Sequence, residues 1–166
     1  MANIDVSTPS TTATSTTPGT SVPVVQQITS DKPTEQTANS AATLPDGYLS
    51  EGFYVGEGKG RYVDPALVDH AEAIGAALAA SGVKPAAFNK MVKTLKTAAR
   101  LPYAAQQGAL KKLSPQILDM EHKKKAPALL REVVERNQAA VQNEADFSAC
   151  LDHFREIGIY LTAAQS

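Results

Sequence analysis

Four basic side chains recur at steps of three, three and four along one stretch of the chain: Lys90, Lys93, Lys96 and Arg100. At roughly 100° per residue they fall within about 120° of arc on one side of a helix, and no acidic residue interrupts that side. A solvated helix usually mixes charges to gain pairs between residues four apart. Four like charges are more typical of a surface that binds phosphate groups, although a plain solvated face is the alternative.

The surrounding segment carries the same sign. Residues 84–125 contain ten lysine and arginine residues and two acidic residues, a net charge of +8, whereas the whole chain has a net charge of −1. The flanking segments 44–83 and 126–166 carry net charges of −4 and −3. A second basic cluster, Lys123 to Lys125, ends the segment. This uneven distribution indicates polyanion binding that the overall charge conceals.

Aromatic residues are scarce near these charges. Proteins that read single-stranded sequence place aromatic side chains where bases can stack on them. Phe88 is the only aromatic residue of the basic helix and falls on its apolar side. Tyr54 and Tyr103 are candidates for stacking, but we expect them to pack in the core or in loops instead. The pattern therefore predicts contact with backbone phosphates without recognition of bases.

The residues capable of catalysis or metal binding are dispersed. His70, His122 and His153 belong to different predicted helices, and Cys150 lies three positions before His153. A metal site needs further ligands at matched spacing, which the sequence does not offer. A Cys/His nucleophile pair is an alternative, but Cys150 lies on a regular apolar stripe, where a core thiol is expected. We expect no catalytic residue, no metal and no cofactor.

Apolar periodicity and stop signals predict the helices that position these residues. The first begins at Asp64, with Pro65 in its first turn, and ends at Gly82. The last begins after an Asn143 cap and has the cleanest apolar stripe, which includes Cys150. Between them we predict helical segments over 85–100, 103–113, 114–125 and 128–142. The expected fold is an all-α compact bundle of about five helices.

The N-terminal part has a different character. Residues 1–43 are rich in Ser, Thr and Pro and are expected to be a disordered tail, and 44–166 to be the helical-bundle domain. Residues 44–63 should form an ordered Gly-rich loop or hairpin, in which Gly56 to Gly60 make a turn rather than a phosphate loop. No signal peptide or membrane span is recognisable, and the single cysteine suits a reducing cytosol, so we expect a cytoplasmic protein.

Three stretches resemble the small subunit of type III-A CRISPR effector complexes, the Csm small subunit. They read GYLSEGFYVGEGKGRYVDPALVDHAEAIGAAL, SGVKPAAFNKMVKTL and ADFSACLDHFREIGIYL. Members of that family often begin with a Gly-Tyr-Phe-type segment, continue with a helix introduced near Pro and a basic motif, and finish with a Phe-rich helix. The likeness spans about residues 46–162, and the order and spacing of these loose apolar patterns carry it.

The resemblance implies a non-catalytic helical subunit that stacks in several copies and contacts the backbone of guide and target RNA in antiviral defence. Lys90 matches a basic position of the family motif, whereas Asn89 stands where the family has Arg. HKKKAP at 122–127 replaces the family's middle stretch. The implied partners are guide RNA, target RNA, other effector subunits and further copies of the chain, without a membrane. The predicted RNA-binding residues are Lys90, Lys93, Lys96, Arg100, Lys123, Lys124 and Lys125.

Two alternative functions stay open at this point. One is a stand-alone helical adaptor whose basic surface binds acidic protein partners. The other is a small enzyme that uses Cys150 and His153. Salt-sensitive RNA binding would separate the RNA-binding subunit from the adaptor, and loss of function in Cys150→Ala would support the enzyme.

Overall fold

Apolar residues at helical spacing form six α-helices within residues 42–166, the part of the chain that the computed structural model describes. The predicted all-α fold is confirmed. The expected tail lies outside the described residues except for Ala42 and Thr43, and Ala42 packs against the core. The helices are α1 (Ala66–Ala80), α2 (Pro85–Ala98), α3 (Tyr103–Lys111), α4 (Leu113–His122), α5 (Ala128–Ala140) and α6 (Glu144–Ala163).

A short hairpin precedes the first helix, as the Gly-rich segment predicted. Its strands β1 (Tyr54–Val55) and β2 (Tyr62–Val63) pair antiparallel, with Tyr54 opposite Val63. The turn between them depends on Gly56, whose φ is +88° and whose added Cβ would lie 2.8 Å from the carbonyl oxygen of Gly60. The glycines therefore make a tight turn here.

Three helix ends follow the predicted start and stop signals. Asp64 Oδ1 accepts a hydrogen bond from the Ala66 N–H at 3.0 Å, which caps α1 at its start. Gly82 has φ +78° and ends α1 in a Schellman arrangement, with the Val83 N–H donating to Leu78 O at 3.0 Å. Asn143 Oδ1 accepts from the Asp146 N–H at 2.9 Å and caps α6.

Helix α6 lies at the centre of the core. Its most extensive contact is with α1, and α2 packs along another side of it. The predicted stripe of α6 is confirmed as buried: Phe147, Cys150, Leu151, Phe154, Ile157 and Leu161. Because α2 turns Phe88, Met91 and Leu95 toward this core, its opposite side is left at the surface. None of the helices within residues 42–166 is both long and apolar enough to cross a membrane.

Candidate nucleic-acid interface

The basic residues of α2 lie on its exposed side, as the helical spacing predicted. Lys90, Lys93 and Lys96 are exposed, while Phe88 and Leu95 on the opposite side are fully buried. Within residues 42–166, none of these three lysines forms an ion pair with an acidic side chain. Their positive charges are therefore compensated only by solvent in this part of the chain, and α2 presents them together.

An open groove runs between this side of α2 and the neighbouring α6. Its volume is about 510 Å³, and Lys93, Lys96 and Arg100 line it together with Asn89 and Val92. Lys90 is exposed on the same helix but does not line this groove. The groove brings three of the four basic residues predicted on this helix to one concave surface, which is a shape that a phosphodiester strand can follow.

Arg100 differs in its local structure from what the spacing predicted. We expected a helix over 85–100, but α2 ends at Ala98, and Arg100 lies in the turn that follows. Pro102 explains the early end, because in a continued helix its nitrogen would have no hydrogen to donate to the Ala98 carbonyl and its ring would collide with that carbonyl. The guanidinium still lines the groove with Lys93 and Lys96.

Arg155 on α6 is a fourth basic residue of the groove, and sequence reasoning missed it. It belongs to the acidic segment 126–166, and its Nη1 donates to Asp152 Oδ1 at 2.8 Å. Only the packing of α6 beside α2 brings it next to Lys96 and Arg100. The spacing of charged residues along α2 carries no information about a residue of α6 that packs beside it.

The second basic cluster lies at the end of α4 and has a structural role. Lys123 Nζ contacts Asp119 Oδ2 at 2.7 Å, and Lys124 adopts φ +54° as the residue that ends the helix. The N–H groups of Lys124 and Lys125 donate to Glu121 O at 2.9 Å and Met120 O at 2.8 Å. Positive charge is favourable at a helix C-terminus. The three lysines do not line the α2–α6 groove, so their contact with RNA stays a separate prediction.

Cys150 and His153 lie inside the core. The Cys150 side chain is fully buried, and this burial raises the pKa of its thiol far above the ordinary value. The thiolate is the nucleophilic form of cysteine, so burial of this kind suits a packing role. His153 is hydrogen-bonded through Nε2 to the Tyr48 hydroxyl at 2.9 Å. Both side chains therefore serve the packing of α6 in this structure.

A buried polar network joins the N-terminal loop to the helices, and no sequence pattern indicated it. The Tyr48 hydroxyl accepts from Asn137 Nδ2 at 2.7 Å and is bonded to His153. Its ring also packs edge-on against His70, with centroids 5.6 Å apart. Burial, and to a lesser extent the charge of His70, lowers the pKa of His153 to about 4. The neutral imidazole is therefore the form that fits this network.

Tyr54 and Tyr103 pack within the protein, as expected. The Tyr54 hydroxyl donates to Ala145 O at 3.1 Å, and the Tyr103 hydroxyl donates to Val141 O at 3.3 Å. Neither residue lines the α2–α6 groove. The basic surface thus lacks a stacking platform within residues 42–166, which favours phosphate contact over base recognition.

Comparison of the chain with models of known protein families, with curated proteins and with solved structures finds no match.

Proposed function

We propose that the chain is a non-catalytic small subunit of a type III-A CRISPR RNA-guided effector complex that contacts the backbone of guide and target RNA. The observation that carries the proposal is the exposed basic side of α2, where Lys93, Lys96 and Arg100 line one groove beside α6. Concentrated positive charge without stacking aromatics suits sequence-independent phosphate binding. The resemblance in three stretches supplies the choice of complex.

The proposed cellular role follows from the same resemblance. The chain would act in the cytoplasm, without a cofactor, and would stack in several copies beside the other subunits of the complex. One copy offers only a few phosphate contacts, so its affinity alone should be weak. Repetition along the RNA would then supply avidity.

RNA retention by the purified full-length chain tests this function. Two unrelated RNA sequences should bind equally, and the quadruple variant Lys90→Ala/Lys93→Ala/Lys96→Ala/Arg100→Ala should lose most of that binding. A matched control removes four exposed lysines outside the groove, at positions 59, 84, 111 and 112, and should bind RNA more tightly than the quadruple variant. Equal loss in both variants would show that net charge, and not this surface, holds the RNA.

A second candidate, the protein-binding adaptor, has one observation in its favour. The groove continues along α6 as an open space of about 650 Å³ in which Ile159 is 65% exposed beside Val92. Together with Val92 and Ala163, Ile159 forms an apolar patch between two helices, the kind of surface that a protein partner covers. If Ile159→Ser abolished assembly while salt-sensitive RNA binding were absent from the wild type, the adaptor would replace the RNA-binding subunit as the better explanation.

A further inference from the structure

A polar cavity of about 440 Å³ opens on a different part of the surface, between residues 49–53, the end of α5 and the start of α6. It shares no residue with the α2–α6 groove. Its volume falls in the range of pockets that hold small ligands. Two arginines line the cavity: Arg61, the residue just before β2, and Arg136 of α5.

Arg136 is a cation available to a ligand. Its side chain is exposed and, within residues 42–166, forms neither an ion pair nor a hydrogen bond. It also borders an adjoining cavity of about 280 Å³. A guanidinium binds phosphate and carboxylate groups through two parallel N–H donors.

Asp146, in the same wall, offers a ligand a hydrogen-bond acceptor. The residue is only 4% exposed, and its Oδ2 accepts from the Gln142 N–H at 3.0 Å and from Asn143 Nδ2 at 2.9 Å. Its Oδ1 is buried and has no hydrogen-bond donor among the described residues. Arg61 Nη2 forms an ion pair with Oδ1, but at 3.8 Å it is too far away to donate a hydrogen bond, and the Arg61 guanidinium lies over the Tyr54 ring, 4.6 Å from its centroid. A buried carboxylate oxygen that accepts no hydrogen bond destabilises the folded protein, so a ligand that donates a hydrogen bond to Oδ1 would be favoured.

We propose that this cavity binds a small ligand that carries an anionic group and hydroxyl donors together, the combination that a ribonucleotide presents. Its phosphate would bind Arg136, and its ribose hydroxyls would donate to Oδ1 of Asp146, a pairing that carboxylates commonly make with ribose. A modest movement of the Arg61 side chain would open the path to Oδ1. A free mononucleotide and the phosphorylated end of an RNA strand share this chemistry. The site is independent of the function proposed for α2.

Calorimetric titration of the full-length chain with adenosine monophosphate tests the site. Adenosine monophosphate should bind at least tenfold more tightly than adenosine, inorganic phosphate or the dideoxy monophosphate, which lacks both ribose hydroxyls. Arg136→Ala should weaken the monophosphate about tenfold and leave adenosine unchanged. Asp146→Asn should remove the preference for ribose over dideoxyribose. Lys112→Ala removes an exposed positive charge outside both the cavity and the α2–α6 groove, and this matched control should bind like the wild type.

The results distinguish a free nucleotide from an RNA end as the ligand, and they distinguish this cavity from the RNA-binding surface on α2. Competition by a short RNA with a terminal phosphate would assign the site to RNA ends, and its absence would assign it to a free nucleotide. The quadruple α2 variant should bind adenosine monophosphate as the wild type does. A failure of the RNA-binding proposal would therefore not decide whether the cavity binds a nucleotide. If Asp146→Asn fails to fold, the exposed Arg136→Ala decides alone. No binding at millimolar adenosine monophosphate, or unchanged binding by Arg136→Ala, overturns the proposal.

Discussion

Lys124 occupies a backbone conformation that residues with a Cβ rarely adopt. Its φ of +54° ends α4, a position where glycine is usual and where other residues lose about 1–2 kcal/mol. We expect Lys124→Gly to raise the free energy of unfolding by about 0.5–1 kcal/mol, after the greater freedom of glycine in the unfolded chain is subtracted. Urea unfolding of the wild type and the variant measures this change in the free energy of unfolding. Lys125→Gly removes the same charge from the next residue, without positive φ, and should not stabilise; a gain of equal size in both would contradict this account.

His153 makes stability depend on acid. Its pKa is about 4 in the folded protein and about 6.5 in an unfolded chain, so the unfolded chain binds more protons between these values. Stability is therefore complete above pH 6.5 and falls as the pH drops toward 4, by about 2 kcal/mol between pH 7 and pH 5. Unfolding midpoints measured across this range should show the loss. In His153→Gln, which keeps a hydrogen-bonding group near Tyr48, the loss should shrink; an unchanged pH profile would assign it to other groups.

The crossing of α1 and α6 depends on a glycine. An added Cβ at Gly75 would lie 2.6 Å from Tyr160 Cβ and 2.9 Å from the Leu161 backbone nitrogen, so the helices would have to separate. We expect Gly75→Ala to cost about 1–3 kcal/mol of stability. Gly108→Ala in α3 is the matched control, because nothing lies within 4 Å of its added Cβ, and it should gain up to about 1 kcal/mol. Similar effects of the two substitutions would mean that α1 and α6 do not pack this closely.

Element by element, the sequence predicted what depends on neighbours along the chain. The stripe of α6, the Asn143 cap and the Gly82 helix end are all local patterns, and each is confirmed. The hydrogen bond of Tyr48 to His153 joins residues 105 positions apart, and Arg155 reaches the groove only through the packing of α6 on α2. Such features have no periodicity to reveal them, because tertiary contact alone creates them.

Across the whole molecule, positive and negative residues are more strongly segregated than the net charge of −1 suggests. The +8 of residues 84–125 is set against acidic segments on both sides, and the part on α2 faces outward. The sequence predicted this surface because helical periodicity and charge are both local. It could not predict that Lys90 would lie apart from the groove, whereas the pair of Asp119 with Lys123 joins residues four apart and is itself a local pattern.

The measurement that tests the central claim most directly is a salt titration of RNA binding, carried out in the assembled complex if the free subunit is too weak. Each neutralised phosphate adds about 0.7–0.9 to the slope of log K against log salt concentration. We expect Lys90→Ala/Lys93→Ala/Lys96→Ala/Arg100→Ala to reduce the wild-type slope by about 2–3 on either of two unrelated RNA sequences. A variant that keeps the wild-type affinity and slope, or binding that follows base sequence and ignores salt, would contradict the account and leave this side of α2 as a solvated surface.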